Sequence, residues 1–328
     1  MKKIVVDIYG ADAGPAPILK GCMQALNTHP DLGLVLVGDE ASITEICGNH
    51  PRVEVVHTTD FITNEENPQA IFGGRDSSSM ALAYGRLKSD EDCIGMISPG
   101  STGALLIGSI CRLGLMKGLK VPALSSNLPL YDGRTVCLVD CGANIQCTPK
   151  DLARFAVMGN AFRQSFAPDV TPKVALLSVG REAGKGTPLQ KEAYDLIADL
   201  PLHFIGNMEG NDLVTGYADV IVADGFAGNI LLKSTEAAGL VAKGIVSALA
   251  KQAGQENTPL VQEMLEQLRL TFDFNSRGGA TFLGTKKTVV KMHGCAVEET
   301  AAACIDQLLR LEKGGFLSGL QQALEQMI

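Results

Sequence analysis

The sequence predicts an α/β protein: a mostly parallel sheet covered by helices on both faces. Three observations predict it. Short apolar, β-branched runs alternate with helix-patterned stretches along the chain. Most of these runs are continuously apolar, as strands buried on both sides are, rather than alternating apolar and polar. Nearly every run also ends in Gly, Ser, Asp or Asn, the residues that turn a strand into a loop.

Taken in order, strands are expected at Lys3 to Ile8, Leu32 to Val37, Arg52 to His57, Cys93 to Ser98, Arg134 to Val139, Lys173 to Val179 and Ala218 to Val222. Helices are expected between them at Pro15 to Leu26, Ser77 to Lys88, Pro149 to Phe166 and Leu189 to Ala198. This alternation is the pattern of βαβ units, whose crossovers lay helices on the sheet faces. The texture changes from about 236 to 274. Apolar residues recur at helical spacing through Ala237 to Ala250, Gly254 to Pro259 breaks the pattern, and a second helix runs from Leu260 to Thr271. The expectation is one α/β domain over 1–328, with a protruding αα-hairpin arm at about 236–274.

Composition narrows the function. With 328 residues, 46% of them hydrophobic, the chain can bury a sizeable core. A formal charge of −8 and the lack of any Lys/Arg cluster argue against a nucleic-acid partner. The nine cysteines are odd in number, mostly sit in apolar runs and form no CxxC. No signal-like segment precedes the first strand, so the reading is reduced thiols in the cytoplasm. The five histidines show no metal-ligand spacing with cysteine or one another, and no metal is expected. There is neither a G-x-G-x-x-G fingerprint for a dinucleotide nor a G-x-S-x-G elbow for a hydrolase triad.

The strand ends carry the candidate chemistry. In open α/β sheets ligands bind at the carboxyl ends of strands, so these segments are expected to ring one cleft. Ser98-Pro99-Gly100-Ser101-Thr102-Gly103 leads from a strand into a helix. Its backbone N–H groups and two hydroxyls suit an anion such as phosphate, with ordinary N-capping as the alternative. Asp140-Cys141-Gly142-Ala143-Asn144 ends another strand. Gly184-Lys185-Gly186 looks like a Walker loop but lacks its spacing and its Ser/Thr, leaving a glycine-flanked lysine. That lysine either places a charge against an anion or is simply a solvated loop residue. In Asp219 to Lys233 (DVIVADGFAGNILLK), Asp224 closes a strand and Asn229 enters a helix, where its amide can orient a carbonyl or phosphate oxygen. Asp224 can equally be a helix cap. His293 follows a strand and is either a general acid/base or a hydrogen-bonded structural histidine.

In order and spacing, these segments resemble the PlsX family over essentially the whole chain. The resemblance rests on the Asp7-to-Pro15 opening, SPGSTGALL, LVDCGAN (Leu138 to Asn144), FAVMG (Phe155 to Gly159), Gly184-Lys185-Gly186, GNMEG (Gly206 to Gly210), Asp224 to Lys233, Gly278-Gly279-Ala280 and His293-Gly294. It implies a three-layer α/β/α fold related to phosphotransacetylases and isocitrate-type dehydrogenases, and a homodimer built through the hairpin. It also implies phosphate acyltransferase activity, in which acyl-[acyl carrier protein] and inorganic phosphate give acyl phosphate for phospholipid synthesis, without metal or organic cofactor. On that reading Lys185 steadies phosphate or the tetrahedral oxyanion and Asn229 orients the carbonyl or phosphate. The loop Gly100, Ser101, Thr102, Gly103 cradles phosphate, Gly186 and Asp224 complete the binding set, and Asn144 and His293 are further candidates.

The chain departs from the family pattern at several of these places. Ile8-Tyr9-Gly10-Ala11 stands where the family has Ala-Met-Gly-Gly, Ser101 where it has Asn, Val121 where it has Arg, and Cys295 where it has Ser. Arg75-Asp76 and Arg181-Glu182 replace a basic and an acidic pair. Two other functions therefore stay open: a paralogue making a shorter acyl phosphate, for which Cys93 is the natural acyl-accepting thiol, and a non-catalytic carrier-protein-binding relative. The polar hairpin tip, Gly254 to Pro259, lacks the basic cluster of a membrane anchor.

Overall fold

The computed structural model describes residues 1–130, 132–272 and 278–327. Eleven strands form one sheet, in the order β3-β2-β1-β4-β11-β10-β5-β6-β9-β7-β8. In chain order these are β1 (Lys3–Asp7), β2 (Gly33–Gly38), β3 (Val53–His57), β4 (Cys93–Ser98), β5 (Ala123–Pro129), β6 (Thr135–Val139), β7 (Lys173–Leu177), β8 (His203–Met208), β9 (Val220–Val222), β10 (Ala280–Leu283) and β11 (Thr288–Lys291). The seven expected strands are present. β5 (ALSSNLP) and β8 (HFIGNM) break the apolar pattern with polar residues, which hid them from a hydrophobicity reading.

The sheet is parallel in two halves that run in opposite directions. β11 joins β4 in parallel, but the pairs β10–β11, β10–β5 and β5–β6 are all antiparallel. Three reversals turn β6, β9, β7 and β8 against β1 to β4. The register then decides where the ends fall: Lys291 pairs with Ala280, Thr281 with Ser125, and Ser125 with Val139. The carboxyl end of β11 and that of β6 thus lie one residue apart in level, on either side of β10 and β5. The strand ends gather, as expected, because two opposed halves meet end to end rather than because they share one edge.

Helices cover both faces. On one lie α1 (Pro15–Thr28), α5 (Pro149–Phe166), α6 (Pro188–Ala198), α9 (Glu298–Lys313) and α10 (Phe316–Glu325). Ile4, Val6 and Val290 pack there against Ile18, Ile305 and Leu308, while Val139, Val220 and Leu176 pack against Phe155, Met158 and Ile197. On the other face lie α3 (Ser79–Ser89) and α4 (Thr102–Gly108), whose Tyr84 and Leu105 meet Val5, Met96, Phe282 and Leu138. α2 (Glu40–Cys47) packs beside α1 and β3. This is the three-layer α/β/α arrangement, its strands apolar toward both helical layers.

The hairpin consists of α7 (Gly225–Gln252) and α8 (Pro259–Phe272), packed together. α7 starts well before the expected Ala237, so one helix runs from the strand end at Asp224 out to the hairpin turn. Residues 273 and 274 of the expected arm lie outside the described residues. No described helix is long and apolar enough to cross a membrane.

Candidate active site

Where the two halves meet, a cavity of ≈ 410 Å³ is lined by Thr102, Cys141, Gly142, Asn229, Lys233, Glu236, Lys291 and His293, among others. Four segments build it.

The first is the loop after β4. Ser98 Oγ donates to Asp7 Oδ2 (2.8 Å) and accepts from Gly100 N–H (3.0 Å), so the ends of β1 and β4 fix the loop together. Burial pushes the Asp7 carboxyl up to about 6, against the lowering pull of its hydrogen bonds. Gly10, at φ 105°, lies against this loop; an added Cβ would sit 2.6 Å from Gly100 Cα. Ser101 is buried and precedes α4, but its side chain makes no capping bond, so capping does not account for it.

The second is the turn after β6. The buried Asp140 accepts hydrogen bonds from the N–H groups of Leu124, Gly142, Ala143 and Asn144 and from Asn144 Nδ2. Burial raises its pKa and these bonds oppose the rise. Asn144 Nδ2 gives one hydrogen to Asp140 Oδ2 (2.7 Å) and the other to Pro122 O (2.7 Å), which makes Asn144 a builder of the turn.

The third is the start of α7. Asp224 Oδ1 accepts from Ala227 N–H (2.8 Å), an N-cap. Gly228 lets the helix lie directly on the Asp140 turn, since a Cβ there would meet Asp140 O at 1.9 Å. Asn229 Nδ2 donates to Cys141 O (3.2 Å); its other hydrogen and its Oδ1 have no protein partner among the described residues. Lys233, one helical turn on, pairs with Glu236 (2.7 Å).

The fourth is the end of β11. Asp12 N–H donates to Gly294 O (2.8 Å), tying it to the opening segment. His293 is exposed at the rim, with Nδ1 3.0 Å from Cys295 Sγ. Partial desolvation lowers its pKa, with Lys233 and Lys291 assisting and Glu236 opposing. Lys291 was not singled out in the sequence, although a charged residue closing an apolar strand just before His293-Gly294 was its available signal. Burial brings its ammonium down to about 8.

Of the expected site residues, Thr102, Asn229 and His293 line the cavity; Gly100, Ser101 and Gly103 shape the loop behind Thr102. Asp224 and Asn144 support it from beneath. Lys185 and Gly186 do not line it. They lie on the loop after β7, where Lys185 is exposed and Gly186 packs on Gln190, whose Nε2 reaches Asp224 Oδ2 at 3.5 Å. Cys93 is buried within β4 with its thiol pushed up to about 11, a strand thiol rather than an acyl acceptor. Among the described residues no cluster of three His, Cys, Asp or Glu side chains is placed to hold a metal. A second cavity of ≈ 450 Å³, lined by Arg134, Arg163 and Arg310, opens between α5 and α9 on the opposite face and holds none of the expected residues.

Comparison with known proteins identifies the family. The family model described as "Fatty acid synthesis protein" matches residues 2–318. A phosphate acyltransferase from Thermoanaerobacterium thermosaccharolyticum is 37% identical, covering 98% of this chain and 97% of its own. One from Streptococcus pneumoniae is 37% identical, covering 94% of each. Among solved structures, a branched-chain phosphotransacylase from Enterococcus faecalis superposes with a TM-score of 0.61 at 17% identity, over 94% of this chain and 98% of that one, a likeness of fold. With the family model spanning nearly all of the sequence and relatives this similar along their full length, the chain belongs to the fatty acid synthesis protein family, that of the PlsX phosphate acyltransferases.

Proposed function

We propose that this acyltransferase takes its acyl group from an acyl-[acyl carrier protein] thioester and delivers it to inorganic phosphate in the cavity between the two half-sheets. The observation that carries this reading is the meeting there of Thr102, from the glycine-bearing loop, with Asn229 and His293. A phosphate oxygen attacks the thioester carbonyl carbon, the tetrahedral adduct collapses with cleavage of the C–S bond, and the carrier thiolate leaves to take up a proton. Holding both reactants side by side supplies much of the acceleration. Asn229, anchored through one hydrogen to Cys141 O, offers the other to the carbonyl oxygen. His293 takes the proton that the attacking phosphate gives up and passes it to the leaving sulfur, which as a thiol of pKa about 8.5 needs little help. Lys185 reaches in from its exposed loop once substrate is bound.

The arm supports a homodimer. Leu240, Val241, Ile245 and Leu249 on α7 and Leu260 and Met264 on α8 are exposed, an apolar stripe at helical spacing that a second copy would cover. A cytoplasmic place suits these readings.

The test is phosphate-dependent release of thiol from carrier-protein thioesters of several chain lengths, run beside acetyl-CoA. Acyl phosphate from carrier thioesters is the expected product. Turnover of acetyl-CoA alone would move the protein to short-chain acyl phosphate synthesis. No turnover of any thioester by folded protein would leave a non-catalytic relative.

A further inference from the structure

Lys291 stands in a place where a lysine is costly. It is the last residue of β11, paired in register with Ser98, the last residue of β4 before the glycine-bearing loop. Its Nζ donates to Pro99 O (2.9 Å) and to Met292 O (2.5 Å). Two of the three ammonium hydrogens are therefore fixed on backbone carbonyls, one of them on the loop itself. The third has no protein acceptor among the described residues, and no carboxylate there forms an ion pair with Lys291. The side chain lines the cavity beside Thr102, Asn229 and His293. Asp12 and Asp7 act on it only from beyond ion-pair distance, and a largely desolvated ammonium with no paired carboxylate is unfavourable unless a ligand supplies the charge. The neighbouring cation, Lys233, is already paired with Glu236.

We infer that Lys291 is the cation that binds inorganic phosphate in this cavity, its third N–H donated to a phosphate oxygen while the other two hold the loop against the same anion. The inference rests on the phosphate acyltransferase reading and adds the group that anchors the nucleophile. Such a bond between two charged groups is of the strong kind. It keeps the phosphate beside Thr102 while leaving Asn229 for the thioester carbonyl.

The geometry has a thermodynamic signature. Without ligand, burial holds the Lys291 ammonium near pH 8. A dianion at 3 Å favours the charged form and raises that pKa, so above pH 8 phosphate binding must take up a proton. At pH 9 an amine of pKa 8 is about nine-tenths neutral, so uptake approaches about 0.9 proton per phosphate. The other charged or titratable groups around Lys291 are Asp7 from β1, Asp12 from the segment after it, Cys304 from α9, His293 and Cys295 after β11, and the paired Lys233 and Glu236 of α7 in the same cavity. Burial pushes Asp7 up to about 6 and Cys304 up to about 12, so both lie well away from pH 9. Cys295, whose Sγ lies 3.0 Å from His293 Nδ1, is given its own control.

The experiment is isothermal titration of the full chain with inorganic phosphate at pH 9, in buffers of different ionisation enthalpy, for the wild type, Lys291→Met and Cys295→Ser. The expected result is proton uptake near 0.9 in the wild type and in Cys295→Ser, and none in Lys291→Met. At pH 7 Lys291→Met should bind phosphate about ten- to a hundredfold more weakly, the usual worth of a charged hydrogen bond. If Lys291→Met does not fold, the wild type still decides: its phosphate Kd should rise about tenfold per unit above pH 8. Unchanged phosphate binding by Lys291→Met, or a flat wild-type profile, with acyl phosphate still formed, would overturn the role of Lys291 alone. Absence of both phosphate binding and acyl phosphate in the wild type would overturn the function reading with it.

Discussion

Replacing Gly228 with alanine adds one methyl group at the point where the first turn of α7 rests on the Asp140 turn. That methyl would lie 1.9 Å from Asp140 O, with Cys141 Cα behind it at 3.3 Å. Neither neighbour can yield by rotating a side chain, because both are backbone. Asp140 is itself held by five hydrogen bonds. The helix start must move instead, and about 1 Å is needed to restore ordinary contact. Asn229 is the next residue, so its bond to Cys141 O is lost and its amide leaves the carbonyl's position. A misplacement of ~1 Å costs on the order of a hundredfold in rate. Stability should change much less. Overpacking costs about 1–3 kcal/mol, and the better helix propensity of alanine returns about 1 kcal/mol of it. Gly228→Ala should therefore melt within several degrees of the wild type yet lose about a hundredfold in kcat/KM for acyl phosphate formation. Gly85→Ala is the matched control, since Gly85 lies on the exposed side of α3 with open space where the Cβ would go. It should gain about 0.5–1 kcal/mol and keep full activity. Full activity in folded Gly228→Ala would refute the placement of Asn229 at the reacting centre.

The exposed Lys185 forms no ion pair among the described residues, so Lys185→Ala should leave the melting temperature unchanged while thiol release from carrier thioesters falls; full activity would remove this lysine from the mechanism. Asp7 is raised from 3.8 to about 6, so as pH rises the unfolded chain ionises first and stability is lost between about pH 4 and 6. The penalty above pH 6 is on the order of 3 kcal/mol. Asp7→Asn should lift the melting temperature more at pH 7.5 than at pH 4.5, and a pH-independent difference would show that the carboxyl is not destabilised by burial. Ile245→Asp, which puts a charge in the exposed stripe of α7, should convert a sedimenting dimer to monomer; a monomeric wild type would remove the arm from dimerisation.

The layered fold was legible because its strands are apolar on both faces and its helices alternate with them. Pro149 to Phe166 is marked at both the level of pattern and of capping: Thr148 and Asp151 form a reciprocal box ahead of an apolar stripe. What escaped, besides the edge strand β8, were strands that make the sheet change direction. β10 has only four residues, and β5 carries Ser125, Ser126 and Asn127 in its middle. They tolerate polar and short sequences because their register is set by neighbours on both sides, a tertiary constraint that local hydrophobicity does not record.

The site was legible in part for a related reason. Gly100, Gly228 and Asp224 announce themselves because close backbone approach and helix starts demand particular residue types. Asn144 looked like the same kind of signal, and its type is indeed demanded, but by Asp140 and Pro122 rather than by a ligand. Lys291 shows the converse. Nothing in the run Thr288 to Lys291 sets its last residue apart from any solvated strand-end lysine. Only the pairing of β11 between β4 and β10 carries that end into the centre of the molecule, where its ammonium is held by two carbonyls and, among the described residues, forms no ion pair with a carboxylate. A residue whose function comes from the loss of its water can be found only once the fold shows what has replaced that water.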